Sequence, residues 1–225
     1  MATDSRTPPA AHEPCRLCGS SGTAQVKGPA PRRFLHCPSC DLVFVHPDDY
    51  ASLAEEKARY GKHHNSPQDP GYVAFLTSVV DAVAALPLAG RRVLDFGSGQ
   101  EGVLTGLFRA RGYDCTAHDP LFGKGSDALS SRYDAVALCE VLEHLRDLPG
   151  ELARIRGALL PGGFVVIHTL LRPQDPSAFT DWWYARDITH VNFWSMRALE
   201  HVARLLGGQV RSSNGKDLVV IGPGR

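Results

Sequence analysis

The sequence has no excess of charge of either sign. Lysine plus arginine and aspartate plus glutamate number 24 each in 225 residues, so no global positive field points to nucleic acid or an anionic membrane as partner. A long apolar run is missing too. The longest stretches, such as GGFVVIHTLL and DAVAALPLAG, fall well short of the roughly 20 residues needed to cross a bilayer. The amino terminus, MATDSRTPPAAHEP, lacks both the apolar core of a signal peptide and the arginine-rich amphipathicity of a transit peptide. Repeats and low-complexity tracts are also absent. These features predict a cytoplasmic protein with no membrane partner and a loose tail over 1–11.

Among what is present, the cysteines stand out first. Four of the six form two pairs, Cys15 with Cys18 and Cys37 with Cys40. A C-x-x-C turn aims two thiolates at one point, and two such turns close a tetrahedral shell around zinc. Two disulfides, a rubredoxin-like iron site or redox-active thiols are the other arrangements open to this spacing. With four protein ligands no coordination position is left for chemistry, so a structural zinc ribbon is expected over 12–46. Cys115 and Cys139 stand outside the pattern as small buried residues.

From 47 to 70 the pattern suggests a linker helix and a loop, and from 71 to 225 strands and helices alternate. Strands are expected at RRVLDFG, YDCTAHD, YDAVALCE and GGFVVIHTL, with helices over Tyr72–Leu86, Glu101–Arg111 and Leu148–Leu160. A helix near Ser195–Leu206 and two strands around the turn Asn214–Lys216 close the chain. This predicts an α/β, Rossmann-like, doubly wound and mostly parallel sheet with an antiparallel last strand, preceded by the small zinc ribbon. Ligands of such sheets bind beyond the carboxyl ends of the strands. Those ends carry Asp95 to Gly99, Asp119, Cys139 to Glu143, and His168.

Glycines 97, 99 and 102 satisfy the G-x-G-x-x-G spacing of a dinucleotide site. Charge argues otherwise. A pyrophosphate wants backbone amides without acids around them, whereas Asp95 and the Glu140 region suit the sulfonium and α-ammonium of S-adenosylmethionine. Asp119 can take ribose hydroxyls in either case.

At these residues the chain resembles the class I S-adenosylmethionine-dependent methyltransferases. VLDFGSGQEG is similar to their first motif, AHDP to the acidic end of their second strand, YDAVALCEVLEHL to their fourth strand and LLPGGFVVIHT to the approach to their fifth. The resemblance implies that Asp95, Phe96, Gly97 and Gly99 cradle the methionine end of the cofactor. Asp119 with Pro120 would take the ribose, and Cys139 and Glu140 would line the pocket floor. Two departures are visible: Glu101 stands where the family often has glycine, and only 13 residues separate Asp119 from Tyr133, so the third strand is cut down. Asp127 is then the candidate partner for adenine, with Leu121 and Phe122 sandwiching the ring.

The EVLEHL run places Glu140, Glu143 and His144 on one face if the turn is helical. Some methyltransferases with this pattern use such residues to hold a divalent metal at the acceptor oxygen, and His190 is placed to complete the set. Without a metal, His144 or His190 with Glu143 would supply the general base. Trp182, Trp183 and Trp194 cluster with Phe179, Tyr184 and Phe193, as an aromatic lid over the mouth or as a satellite core. The run HHNS at 63–66 reads as a contact to incoming ligand or a polar turn. The expected activity is methyl transfer to a small-molecule acceptor, chiefly at oxygen, with no nucleic-acid partner. An RNA base methyltransferase, with the ribbon recognising RNA, and a catalytically silent binding module are the alternatives.

Overall fold

The computed structural model describes residues 13–60 and 66–224. The expected tail over 1–11 lies outside them, as do His63, His64 and Asn65 of the HHNS run. Within the described residues no helix is long and apolar enough to cross a membrane.

The chain begins with three short antiparallel strands, β1 (Ala24–Val26), β2 (Phe34–His36) and β3 (Val43–Val45). Two helices follow, α1 (Leu53–Tyr60) and α2 (Pro70–Ala84). Asp69 starts α2 by accepting from the amides of Gly71 and Tyr72, with Pro70 in the first turn where no amide is needed. Then come β4 (Arg92–Phe96), α3 (Val103–Ala110), β5 (Asp114–His118), β6 (Tyr133–Cys139), α4 (Leu148–Ala158) and β7 (Leu159–His168). The carboxyl-terminal part adds α5 (Pro176–Asp181), β8 (Asn192–Phe193), α6 (Met196–Leu205), β9 (Gly208–Ser213) and β10 (Leu218–Pro223).

Six strands form the main sheet in the order β5-β4-β6-β7-β10-β9. The first four are parallel, and β10 runs antiparallel to both neighbours. Alternate side chains divide between two covered faces. Val93, Ala135, Ala137 and Val166 pack under α2 and α3 with Val80 and Phe108. Leu94, Val136, Leu138 and Val165 pack under α4 and α6 with Ile155 and Val202. The short link from β5 to β6 holds only two 3-10 turns, Pro120–Phe122 and Ala128–Ser130, so the sheet ends at β5. The final turn is fixed by Asn214, whose Oδ1 accepts from the amides of Lys216, Asp217 and Leu218. Helix α3 starts later than Glu101 because Gly102 has φ 63, a left-handed conformation outside the helix.

The ribbon strands are not isolated. β8, drawn from the link between β7 and α6, pairs antiparallel with β3 and makes a four-stranded sheet, β1-β2-β3-β8. Cys15, Cys37, Cys40, Leu42 and Phe44 belong to the same core as Leu138, Leu142 and Trp194. On the other side Phe34, Val43 and Val45 pack against Phe179, Tyr184 and Phe193. Of the two arrangements open to the aromatic segment, a lid or a satellite core, the core is the one formed. Trp194 is fully buried, Trp182 packs on Phe179, Tyr184 and Phe193, and Trp183 is exposed. The ribbon is too poor in apolar residues to bury its own strands, and these aromatics complete its core.

Candidate functional site

A cavity of about 440 Å³ opens beyond the carboxyl ends of β4, β5 and β6, within the range of about 300–1,000 Å³ usual for small-molecule sites. One wall is the turn after β4. Phe96, Gly97, Gly99 and Gly102 line it, with Asp119, Pro120, Leu121 and Phe122 opposite. Gly97 has φ 79, and a Cβ there would lie 2.4 Å from Val141 Cγ2. Both the conformation and the close approach require glycine. Asp119 ties the wall together: Oδ2 accepts from Gly99 N at 2.9 Å and Oδ1 from Leu121 N at 3.0 Å. A carboxylate has about four lone-pair sites, so acceptor capacity remains for a ligand.

Asp95 is not on this wall. It is 1% exposed, and its Oδ2 accepts from Thr105 Oγ1 of α3 at 2.6 Å, behind the turn. Burial pushes its pKa up to about 6 against the pull of that hydrogen bond. Asp95, expected beside the methionine end of the cofactor, thus stands at the end of β4 with its carboxylate bound to α3, outside the residues that line the cavity. Asp127 does not line the cavity either, because it precedes the turn Ala128–Ser130. Glu101 does line it.

The other wall holds His144 and His190, with Tyr60 against His144, and Tyr72 and Phe75 line the cavity as well, Phe75 packed on His168. Cys139 and Glu140 lie between the two walls, and burial raises the Cys139 thiol pKa well above its ordinary value. The turn after β6 is a single 3-10 turn, Leu142–His144, and Glu140 precedes it at φ 52. This breaks the helical face that would have joined Glu140 to Glu143 and His144. Glu140 turns instead to His168 Nδ1 at 3.1 Å and the Tyr184 hydroxyl at 3.2 Å.

Glu143, His144 and His190 do converge, with ligand atoms all within 4.8 Å of one another. Both rings have their Nδ1 against a backbone carbonyl, Thr189 O at 3.1 Å for His144 and Tyr184 O at 2.8 Å for His190. A carbonyl only accepts, so each Nδ1 carries a proton. Glu143 is 0% exposed; Oε2 accepts from Thr169 Oγ1 at 2.9 Å, and among the described residues Oε1 has no partner within hydrogen-bond reach. It lies 3.7 Å from His144 Nε2. The Glu143 carboxylate and the two Nε2 atoms thus converge, an arrangement that favours a cation or a shared proton. Burial, with His144 beside it, pushes the pKa of His190 down to about 4, so its ring is neutral at pH 7.

Several residues that hold this wall escaped the sequence reading. Asn192, fully buried, donates through Nδ2 to Leu142 O at 3.2 Å and Leu145 O at 2.7 Å, clasping the turn that carries Glu143 and His144. Val191 N donates to Glu143 O at 2.8 Å while Val191 O accepts from Val45 N at 3.0 Å. Asp187 accepts from Thr189 N and Oγ1 and from Arg59 of α1. Burial opposes its ionisation, yet these donors hold its carboxyl well below the usual carboxylate range. An asparagine inside the apolar run of VNFW was the one legible hint, a polar group that burial obliges to find partners.

The four amino-terminal cysteines also come together. Cys15 Sγ lies 3.5 Å from Cys40 Sγ and Cys18 Sγ 3.6 Å from Cys37 Sγ, and all four ligand atoms lie within 4.8 Å. These separations far exceed the about 2.05 Å of a disulfide. They approach the about 3.8 Å edge of a tetrahedron with sulfurs about 2.3 Å from its centre. The two turns share one hydrogen-bond pattern: Gly19 N to Cys15 O and Cys15 N to Ser20 O, then Asp41 N to Cys37 O and Cys37 N to Leu42 O. Gly19 and Asp41 both have positive φ, 73 and 66. The geometry fits a metal held by four thiolates.

Comparison with known proteins agrees with this architecture. A family model described as a methyltransferase domain matches residues 64–213. No curated protein matches the chain in sequence. Among solved structures, 1,6-didemethyltoxoflavin-N1-methyltransferase of Burkholderia thailandensis is similar over 89% of this chain and 99% of its own, with TM-score 0.57 and 17% identity. An O-methyltransferase family protein of Burkholderia thailandensis is similar over 75% of this chain and 63% of its own, with TM-score 0.52 and 18% identity. A SAM-dependent methyltransferase of Archaeoglobus fulgidus is similar over 67% of this chain and 94% of its own, with TM-score 0.51 and 16% identity. At such identities the likeness is one of fold. The family match spans two thirds of the chain, and the chain belongs to the methyltransferase-domain family.

Proposed function

We propose that this protein is an S-adenosylmethionine-dependent methyltransferase that methylates a small molecule, at a hydroxyl oxygen. The observation that carries the reading is the division of a single cavity between a glycine turn with Asp119 on one wall and, on the other, a histidine pair whose Nδ1 atoms are tied to backbone carbonyls. Among the described lining residues there is no lysine or arginine, while Glu101, Asp119, Glu140 and Glu151 all reach the cavity. Such a lining suits a cationic cofactor and opposes a pyrophosphate. The didemethyltoxoflavin methyltransferase was solved with its small acceptor and S-adenosylhomocysteine bound, which supports a small acceptor here.

When bound, the cofactor supplies a methyl group already activated on a sulfonium, so positioning is the main task left to the protein. Gly97 and Gly99 would let the backbone approach the methionine end, with Phe96, Cys139 and Glu140 beside it, and Asp119 with Pro120 would face the ribose. Leu121 and Phe122 would flank the base. Tyr60, Tyr72 and Phe75 make the acceptor side aromatic and exclude water. His144 Nε2, beside the buried Glu143 carboxylate, accepts the acceptor proton, and neutral His190, its ring centre 4.7 Å from that of His144, holds the imidazole in place. The same three residues would hold a divalent cation, which would acidify the hydroxyl directly; Glu140 is not in that set. The four cysteines would hold a structural zinc, and six unpaired thiols suit a reducing cytoplasm.

Calorimetric titration with S-adenosylhomocysteine beside NAD, on protein of measured metal content, tests the reading. Binding of the former and not the latter is expected. Tight NAD binding without S-adenosylhomocysteine would overturn it. His190→Ala should retain that affinity and lose turnover in a screen of phenolic and heteroaromatic acceptors.

A further inference from the structure

The loop between β1 and β2 of the ribbon carries Arg32, whose partners lie more than 150 positions away in sequence. Nη1 donates to His190 O at 2.9 Å and Ile188 O at 3.5 Å, and Nη2 donates to Ala185 O at 2.5 Å. Its guanidinium carbon also lies 5.4 Å from the centre of the Phe34 ring. Among the described residues Arg32 makes no ion pair; its donors go to carbonyl oxygens. Taking a guanidinium out of water is costly, and a cation spent on backbone carbonyls alone holds a backbone shape.

That backbone is the stretch from Ala185 to Val191, most of which has no ladder of its own. Tyr184 O, one residue before the carbonyl that Arg32 holds through Nη2, is the acceptor for His190 Nδ1. The Tyr184 ring packs on the His190 ring at 4.0 Å, and the two histidine rings meet at 4.7 Å. At the far end of the stretch, Val45 of β3 takes Val191 O. The ribbon therefore grips the His190 segment at both ends, once by strand pairing and once by a forked cation.

We propose that Arg32 is a positioning residue for His190, and that through it the four-cysteine module forms the supporting wall of the acceptor side of the site. This rests on the methyltransferase reading only for the word acceptor; the coupling between Arg32 and the His190 ring stands on contacts alone. A planar fork holds the Ala185 and His190 carbonyls at a fixed separation through two nitrogens, whereas an ammonium offers one nitrogen on a flexible stem and fixes no such separation. Removing it frees the peptide that fixes the ring's tautomer and its approach to His144.

The test uses the full-length, zinc-loaded protein labelled with ¹⁵N-histidine, with the His190 signal assigned by its loss in His190→Gln. In the unaltered protein His190 should show one tautomer, protonated at Nδ1. Arg32→Ala should show a mixture of tautomers, and added guanidinium ion should restore the single form. Arg33→Ala, which removes only the pairing with Asp48 and Asp49, should leave the signal as it was. Arg32→Lys keeps the charge without the fork and should also show the mixture, so the test survives if the alanine variant does not fold. Affinity for S-adenosylhomocysteine should stay within about threefold, on the order of 0.7 kcal/mol. An unchanged His190 signal in Arg32→Lys or Arg32→Ala would overturn the proposal, as would equal disturbance by Arg33→Ala. Failure of the unaltered protein to bind S-adenosylhomocysteine would strike the methyltransferase reading and leave the tautomer result to be judged by itself.

Discussion

One wall of the cavity is cut from a nearly continuous stretch of chain, and the other is assembled from four. The glycine turn follows β4 directly, and its main partner, Asp119, stands at the end of the adjacent strand, joined to Gly99 by one hydrogen bond. The histidine wall needs the turn Leu142–His144, the segment from Asp187 to Asn192, helix α1 and the ribbon behind them. The difference teaches which parts of the site can change independently. A wall made by a tight turn depends on local backbone geometry, whereas a wall made by long-range contacts depends on the whole assembly being in place.

If that contrast is right, damage to the ribbon should reach the histidine wall first. The largest effect is expected for Cys40→Ser. It removes one of four converging thiols in a core shared with Leu138, Leu142 and Trp194, and structural zinc contributes on the order of 10 kcal/mol to the folding of small modules. Bound zinc should be lost and the thermal midpoint should fall sharply, as read by metal analysis and calorimetry. Retained zinc with unchanged stability would break the comparison. Next comes Gly97→Ala, whose methyl group would meet Val141 Cγ2 at 2.4 Å from a backbone at φ 79. Strain and overlap together cost about 3 kcal/mol. Titration should show S-adenosylhomocysteine binding weakened about 100-fold with zinc content intact.

The same contrast explains what could be read from sequence. The parallel strands announce themselves as apolar runs, because β6 is buried on both faces, and the glycine turn is legible because its residues are neighbours in the chain. The cysteine pairs are legible for the same reason. The direction of the Asp95 carboxylate was not legible, because sequence gives the strand end while Thr105 on α3 decides where the group turns. The aromatic cluster around Trp182 and Trp194 was assignable to lid or core only once β8 was seen to join β3. Arg32 was invisible, since nothing local marks a residue whose partners lie more than 150 positions away, and Asn192 showed only as a polar residue inside an apolar run.

Asn192→Ala sharpens the contrast from the other side. It leaves the buried carbonyls of Leu142 and Leu145 without this donor, at a cost of about 2 kcal/mol. Chemical denaturation should register that loss, and turnover should fall as the turn carrying His144 loosens. Binding of S-adenosylhomocysteine should hardly move, because the glycine turn does not pass through Asn192. A large loss of binding would mean that the two walls are one unit.

The smallest effect expected is at Asp95, and its sign is set by linkage. The folded-state pKa is raised to about 6 by burial, while in the unfolded chain an aspartate ionises near about 3.9. Between these values the unfolded chain gives up its proton first, so stability falls as pH rises from about 4 to 6 and is flat in this term above that. Asp95→Asn keeps an acceptor for the Thr105 hydroxyl and has no proton to lose. The slope, about 3 kcal/mol for about two pKa units, should be lost, and with the charge-assisted bond from Thr105 exchanged for a weaker neutral one the variant should be more stable at pH 7 by on the order of 1 kcal/mol, as read from denaturation midpoints across the pH range. A less stable variant at pH 7 would show instead that the carboxylate behind the glycine turn is compensated in place, and that the local wall too depends on contacts beyond its own stretch of chain.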